Sequence, residues 1–481
     1  LIFLLLFNYS FSQETVFELL NANQTGVEFN NIIEDKKEHN ILLYANYYGG
    51  GGVGIADFDN DGLQDLYFGG NLVADKIYRN LGNFKFSDKT LSSGINDNGS
   101  WSSGITIADV NNDGLVDIYV SKELYDDKPE LRRNKLYINK GDFTFEESSK
   151  KWGVDVSART RHAVFFDYNN DGHLDLYLLN QPPNPGSYSK FFGSDLTLPE
   201  YSLQLFKNTG NNSFIDVTKE AGLNRTGFPN SVVASDLNQD GYVDLYVAND
   251  FDAPDFLYYN NGDGTFSYET ESSLKHTSFY SMGVDSADIN NDGELDIMVV
   301  DMTAEDNFRL KSNMSGMNPS SFWKVVENGG HFQYMFNSLQ INNGDKTFSD
   351  VAQYTNTSST DWSWANLIAD FDNDGLKDIY VTNGLLRDIR NTDADKKVGE
   401  FVLKIADDYV KKNKSFDYSL WDILPLDKAL ELVPSVKIKN YLYKNYGNLD
   451  FKNETTSWGL DQPSFSNGAS YADLDNDGDL D

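Results

Sequence analysis

Asp57-Phe58-Asp59-Asn60-Asp61-Gly62-Leu63-Gln64-Asp65 is the stretch on which the reading of this chain turns. Its pattern, Asp-x-Asp/Asn-x-Asp-Gly-x-x-Asp, returns at Asp109, Asp167, Asp236, Asp288, Asp370 and Asp473, giving seven copies in 481 residues. Positions 1, 3 and 5 of such a curled loop point inward, and a hard cation such as Ca2+ takes roughly six to eight oxygens. Position 6 is Gly in every copy, where the backbone turns sharply. Position 7 offers a carbonyl, as at Leu63 or Leu115, and position 9 adds a further carboxylate.

The pattern predicts up to seven Ca2+ sites. Their side-chain ligands are Asp57, Asp59, Asp61 and Asp65; Asp109, Asn111, Asp113 and Asp117; Asp167, Asn169, Asp171 and Asp175; Asp236, Asn238, Asp240 and Asp244. The set continues with Asp288, Asn290, Asp292 and Asp296; Asp370, Asp372, Asp374 and Asp378; and Asp473, Asp475, Asp477 and Asp481. Mg2+ fits less well, because it demands a strict octahedron and keeps its waters. The plain alternative is an Asx-rich hairpin that binds nothing. Against it stand 24 carboxylates at ligand positions, which repel one another strongly without a cation.

The first half of the pattern resembles an EF-hand loop, but position 12 holds Phe68, Val120, Leu178, Val247, Val299 and Val381 instead of Glu. Segments such as Gly104-Ile105-Thr106-Ile107-Ala108 before a loop and Ile118-Tyr119-Val120 after it are rich in β-branched and aromatic residues. Each loop therefore joins two strands.

A second repeat, Asn-x-Gly-x-x-x-Phe, begins at Asn80, Asn139, Asn208, Asn260, Asn342 and Asn445 and marks a hairpin between two further strands. Four strands per unit, repeated around an axis, predict an all-β, seven-bladed propeller over 13–481. From each Asn to the next loop the distance is 29, 28, 28, 28, 28 and 28 residues; from each loop to its own Asn it is 23, 30, 41, 24, 54 and 75. All length variation falls in one connector per blade. Because strands run up and down, that connector lies on the face opposite the Asp loops, which makes this the expected ligand face.

Long connectors there run over 180–204, with Pro182, Tyr188, Phe191, Phe192 and Tyr201, and over 301–338, with Phe322, Trp323, His331, Phe332 and Tyr334. Residues 384–441 form an insertion that is helical in part, since Val402, Leu403, Ile405 and Val410 share one helical face. Aromatics also stand eight residues before five loops: Trp101, Phe228, Tyr280, Trp362 and Phe465. Candidate ligand-binding residues on this face are Trp101, Trp323, Tyr334, Trp362 and Trp364, which stack on sugar rings or anchor a protein, or else seal the core between blades.

Composition narrows the partners. With 39 Lys+Arg against 74 Asp+Glu, the net charge of −35 argues against nucleic acid and anionic membranes. A hydrophobic content of 40% excludes an acidic disordered chain, and the absence of Cys excludes disulfides and thiolate metal sites. The apolar run Leu1–Phe7 followed by Ser10-Phe11-Ser12-Gln13 reads as a partial signal peptide over 1–12. The protein is accordingly expected to be exported, to the periplasm, the cell surface or the medium. Because the chain starts at Leu1 and stops inside a motif, it reads as a piece of a longer protein.

These residues resemble the FG-GAP/VCBS repeat superfamily, whose members are similar to the integrin α-subunit propeller in their Asp-x-Asp-x-Asp-Gly loops. Gly49-Gly50-Gly51-Gly52-Val53, Asp301-Met302-Thr303-Ala304-Glu305-Asp306-Asn307 and Trp362-Ser363-Trp364 are similar to large exported bacterial VCBS-repeat proteins that can end in an ASPIC/UnbV-type domain. The resemblance implies calcium-dependent binding or adhesion, with Asn111, Asn169, Asn238 and Asn290 lowering charge in four loops. It carries the four ligand side chains over loop by loop.

Two functions follow. One is a calcium-held binding or adhesion module for a glycan or protein. The alternative is a propeller-type polysaccharide lyase or glycosidase, which needs a general base or a carboxylate pair on the connector face. The five histidines form no catalytic motif, and no nucleophile-elbow, zinc-protease or phosphate-loop pattern occurs. The binding module is the favoured reading, and no catalytic residue is assigned.

Overall fold

The computed structural model describes residues 15–97, 99–182, 201–313 and 318–481. The expected signal peptide and most of connector 180–204, including Tyr188, Phe191 and Phe192, lie outside the described residues.

Six four-stranded sheets follow one another along the chain, each strand pairing antiparallel with its sequence neighbour. Blade one shows the plan: β1 (Val53–Ala56), β2 (Asp65–Phe68), β3 (Lys76–Asn80) and β4 (Phe86–Asp88). The register Val53↔Phe68 to Ala56↔Asp65 puts the Asp loop across the first hairpin. Blade two spans 101–147, blade three 160–216, blade four 229–268, blade five 284–350 and blade six 363–453. First strands of successive blades pack against one another, so they surround an axis and the fourth strands face outward.

Sequence alternation explains the packing between blades. In the second strands Tyr67, Tyr119, Tyr177 and Tyr246 are buried. Phe58, Tyr67, Ile77, Ile105, Val120 and Phe145 make one core between blades one and two, and comparable clusters lie between the following pairs. Three of these tyrosine hydroxyls find acceptors: Tyr67 donates to Asp75 (2.9 Å), Tyr246 to Asp255 (2.8 Å) and Tyr119 to Val154 carbonyl (3.0 Å).

The described residues hold six complete blades where the sequence predicted seven. The seventh loop, Asp473–Asp481, stands beside blade one without a sheet of its own, because a blade also needs the three strands that come after its loop. Two flanking segments pack beside it. Phe17 and Leu480 pack with Phe371 and Trp458 of blade six, while Val27, Phe29 and Leu474 pack with Tyr78 and Phe86 of blade one.

Insertion 384–441 carries helices at Thr392–Asn413, Leu420–Ile423 and Leu426–Leu430. The long helix starts where the Asn391 side chain accepts from Ala394 N, with Asp393 and Asp395 in its first turn and Lys411 and Lys412 in its last. It ends at Lys414 in the left-handed conformation. No helix among the described residues is long and apolar enough to cross a membrane.

Candidate metal-binding ring and ligand face

The seven Asp loops form a closed circle. At position 4 of each loop an Asn or Gln side chain donates to the position-6 Gly carbonyl of the next loop. Asn60 reaches Gly114 at 3.0 Å, Gln239 reaches Gly293 at 2.6 Å, and Asn476 of the last loop returns to Gly62 at 2.9 Å. A second set of six bonds accompanies it. The Asn that opens each Asn-x-Gly turn donates to the position-2 carbonyl of a neighbouring loop, as Asn139 does to Phe58 (2.8 Å) and Asn80 to Leu474 (2.8 Å).

Inside a loop the backbone curls around its own carboxylates. Asp57 accepts from Asp61 N (3.1 Å) and Gly62 N (2.7 Å), and Asp61 accepts from Leu63 N (3.0 Å). The same position-1 bonds recur in the other six loops. Gly62 sits at φ 89°, which a side chain resists.

Position 3 divides the loops in two. Where it is Asp, one oxygen of Asp59, Asp372 or Asp475 is buried with no hydrogen-bond partner. In these loops Asp57/Asp59/Asp61, Asp370/Asp372/Asp374 and Asp473/Asp475/Asp481 bring oxygens within 4.8 Å of one another. An orphaned buried carboxylate oxygen amid converging acids fits a hard cation. Where it is Asn, the amide oxygen of Asn111, Asn169, Asn238 or Asn290 accepts from the position-5 N–H. Asn111 and Asn290 also donate to Asp113 and Asp292.

Position 9 has a second duty that the sequence reading missed. Asp65 accepts from Phe58 N (2.9 Å) and from Asn80 N (2.7 Å), tying its own loop to the Asn-x-Gly turn of its blade. Asp117, Asp175, Asp244, Asp296 and Asp378 repeat both bonds. All six are buried. Burial pushes Asp65, Asp117, Asp175, Asp244 and Asp378 up to about 7, and Asp296 to about 6. No fixed spacing announces this role, since the distance from each loop to its own Asn runs from 23 to 75 residues.

Cations missed in the sequence also enter the ring. Arg79 contacts Asp59 (2.6 Å) and Asp61 (3.0 Å), Lys444 pairs with Asp372 and Asp374, and Lys207 lies 3.1 Å from Asp171. Each immediately precedes the Asn of its Asn-x-Gly turn, where blades two, four and five carry Ile138, Tyr259 and Ile341.

The five candidate aromatics on the opposite face have unlike surroundings. Trp101 is wholly buried and stacks on Tyr47 at 5.0 Å, and Trp362 is 7% exposed. Both seal the core against neighbouring segments, so neither offers a ring to a ligand. Tyr334 is half-buried between Phe322 and Phe336, with ring centroids at 5.5 and 5.9 Å. Trp323 is 54% exposed on the helix Pro319–Glu327. Trp364 is half-buried, its indole N–H donating to Gly384 carbonyl (2.6 Å), and its ring faces the axis.

A family profile of FG-GAP-like repeats matches residues 41–120, 127–178, 195–247, 236–299 and 325–381. Cartilage acidic protein 1 of Homo sapiens is 22% identical over 379 residues, 69% of this chain and 56% of that protein. The Xenopus tropicalis protein of the same name is 24% identical over 286 residues, 55% of this chain and 42% of that protein. The chain thus spans about half the length of the curated relatives it matches. Among solved structures, an Agrocybe aegerita lectin recognising non-reducing terminal N-acetylglucosamine aligns with a TM-score of 0.42 at 15% identity, covering 84% of this chain and 82% of that one. The V. cholerae biofilm matrix protein Bap1 aligns with a TM-score of 0.33 at 14% identity, covering 66% and 41%.

Proposed function

This chain belongs to the FG-GAP-like repeat family, and from that premise we propose that it is an exported, calcium-clamped propeller whose connector face binds a glycan or protein. The observation that carries the reading is the division of labour between the two faces. The Asp loops are nearly invariant in length and hydrogen-bonded into one circle, whereas all long insertions and the exposed Trp323 belong to connectors on the other face.

In this proposal the seventh loop marks a seventh blade, and up to seven Ca2+ ions sit at positions 1, 3, 5 and 9 with the position-7 carbonyl. A bound ion neutralises the clustered carboxylates, so that loops which repel one another in its absence can pair. The chain's own part is to hold these oxygens in place: the Gly turns curl each loop, and the amide circle sets the distance between loops. The ions are structural, and binding belongs to the opposite face. The cavity on that face is lined by no Asp or Glu among the described residues, so the carboxylate pair of a glycosidase has no support there.

Two measurements test this. Thermal unfolding of the chain in EGTA and in millimolar calcium, with elemental analysis, should show a calcium-dependent rise and several ions retained per chain. No shift and no retained metal would refute the clamp. A glycan array and a partner pull-down, each with Trp323→Ala alongside, should show saturable binding that the variant weakens; silence in both would refute the binding reading.

A further inference from the structure

A cavity of about 270 Å3 opens on the axis, between the starts of the innermost strands. It is therefore at the connector end, away from the Asp loops. Its walls are unusual for a propeller axis filled only by packing. Glycines line much of it, which keeps the wall open, and the polar groups that remain come from opposite sides of the ring.

Blade three supplies Arg161 and His162. The Arg161 guanidinium is buried; one amino group donates to Gly49 carbonyl (3.0 Å), and the other makes no hydrogen bond, lying 3.7 Å from the buried Glu123 carboxylate. His162 Nδ1 is buried without a partner, and burial together with Arg161 holds the imidazole neutral by lowering it to about 4. From blade six, Asn366 is 4% exposed; its amide N–H donates to Met298 carbonyl (2.9 Å) while its oxygen has no partner. Trp364 adds an indole ring, with the Arg161 guanidinium 6.0 Å from its centroid.

A buried polar atom without a partner costs free energy, and two on the wall of one cavity, His162 Nδ1 and Asn366 Oδ1, mark a place where a polar guest completes the bonding. The guest must both donate and accept: Arg161 has only donors, the Asn366 oxygen only accepts, and a neutral imidazole nitrogen does either according to tautomer. An aromatic face beside amide and guanidinium groups suits a ring with apolar C–H faces and hydroxyl edges. The volume lies just below the ~300–1,000 Å3 of ordinary ligand pockets, enough for one ring and too little for a chain. The pairing of Arg161 with Glu123 leaves the wall close to neutral, so no large anion is called for.

We propose that the axial cavity binds a single terminal sugar residue, held by Arg161, His162 and Asn366 against Trp364. This inference rests on the reading that the connector face is the ligand face, and deepens it by naming the site and the ligand size. A neutral hexose and a uronic acid share the required hydroxyl chemistry and differ in what reaches Arg161.

The test uses the whole chain in millimolar calcium with free glucose, galactose, mannose, N-acetylglucosamine, galacturonic acid and glucuronic acid as probes, read by saturation-transfer NMR and calorimetry. Gly468→Trp is the blocking variant: Gly468 lies exposed at the cavity rim, and a Cβ there meets nothing within 4 Å, so the fold tolerates it while the mouth is obstructed. Arg161→Lys keeps the charge and loses the forked donor. At least one monosaccharide is expected to bind, with affinity falling at least tenfold in Gly468→Trp at unchanged melting temperature. Uronic acids weakened selectively by Arg161→Lys would support a carboxylate on Arg161; equal binding of neutral sugars that the Lys variant tolerates would support recognition through hydroxyls. Monosaccharide binding unaffected by Gly468→Trp overturns the axial site. Array or pull-down binding with no monosaccharide bound also overturns it and leaves the connector-face function standing, whereas silence of array and pull-down removes that function itself.

Discussion

Replacing Asp244 separates the clamp from the metal site. Its two oxygens accept from Leu237 N (3.0 Å) and Asn260 N (2.8 Å), and the residue is fully buried. Asp244→Ala leaves two buried N–H donors without an acceptor, each costing about 1–3 kcal/mol, so about 2–6 kcal/mol is lost whether or not metal is bound. Asp240, at position 5 of the same loop, is exposed and accepts only from Tyr242 N (3.0 Å). Asp240→Ala should cost under about 1 kcal/mol in EGTA. In calcium at a hundred times the dissociation constant it forfeits up to about 2.7 kcal/mol of binding linkage. Scaling unfolding entropy with chain length gives roughly 1 °C per kcal/mol for a cooperative unit of this size. Scanning calorimetry of both variants, in EGTA and in calcium, should show Asp244→Ala lowered by roughly 2–6 °C in EGTA and further in calcium, where a ligand is lost as well, and Asp240→Ala lowered mainly in calcium. An Asp244→Ala chain that matches the wild type in EGTA would refute the clamp and return position 9 to a ligand role alone.

Trp101→Ala should cost about 3–5 kcal/mol by emptying a buried site against Tyr47, whereas Trp323→Ala should change stability by less than about 0.5 kcal/mol; urea unfolding checks both. Gly51→Ala should destabilise by at least about 1–3 kcal/mol, because its Cβ would lie 2.1 Å from Gly69 carbonyl in the neighbouring strand, and neither backbone can yield; the melting temperature reports it. Asp250 is buried and pushed up to about 8 by burial, with Asp301 raising it and Arg390 and the Phe251 N–H opposing. Its folded value lies above the unfolded one, so its contribution is complete below about pH 4 and is lost as pH rises through about 8. Asp250→Asn, which keeps an acceptor for Phe251 N, should therefore be more stable than wild type at pH 9 and near wild type at pH 5, by denaturant unfolding.

The order of strands was legible because period-2 runs and the two turn motifs fix each hairpin locally. Asp65 and Asn80 announce both ends of a blade's middle strands, and the paired registers Ala56↔Asp65 and Asn80↔Phe86 follow from them. What joins blades was not legible. The Asn60-to-Gly114 bond links residues 54 apart, and nothing in either residue alone names the other. The aromatics show the same limit: Trp101 and Trp323 read alike in sequence, yet one is enclosed by Tyr47 and the other rides an exposed helix. Pairing in three dimensions decides between sealing a core and offering a surface, and periodicity carries no record of it. The axial cavity escaped for the same reason, since Arg161 and Asn366 come from blades three and six.

The ring cations lead to an ordering of the loops. Loops one and six have four carboxylates at ligand positions and a paired cation, Arg79 or Lys444; loops two, four and five have three carboxylates and none. The charge of these five is thereby brought to a common level by two different routes, an amide at position 3 or a base on the third strand, whereas loop three has both, Asn169 and Lys207. In loops one and six the ion must first displace the base. Lys444→Gln should therefore strengthen calcium binding at loop six, since Asp372 and Asp374 then have no competing partner, and should destabilise the metal-free chain by about 1 kcal/mol or less, as befits an ion pair at the solvent edge. Calorimetric titration of the variant against wild type measures this as a tighter step affecting one equivalent of calcium. Weaker binding in Lys444→Gln would mean that the base assists the ion by orienting Asp372, and the charge-levelling argument would fail.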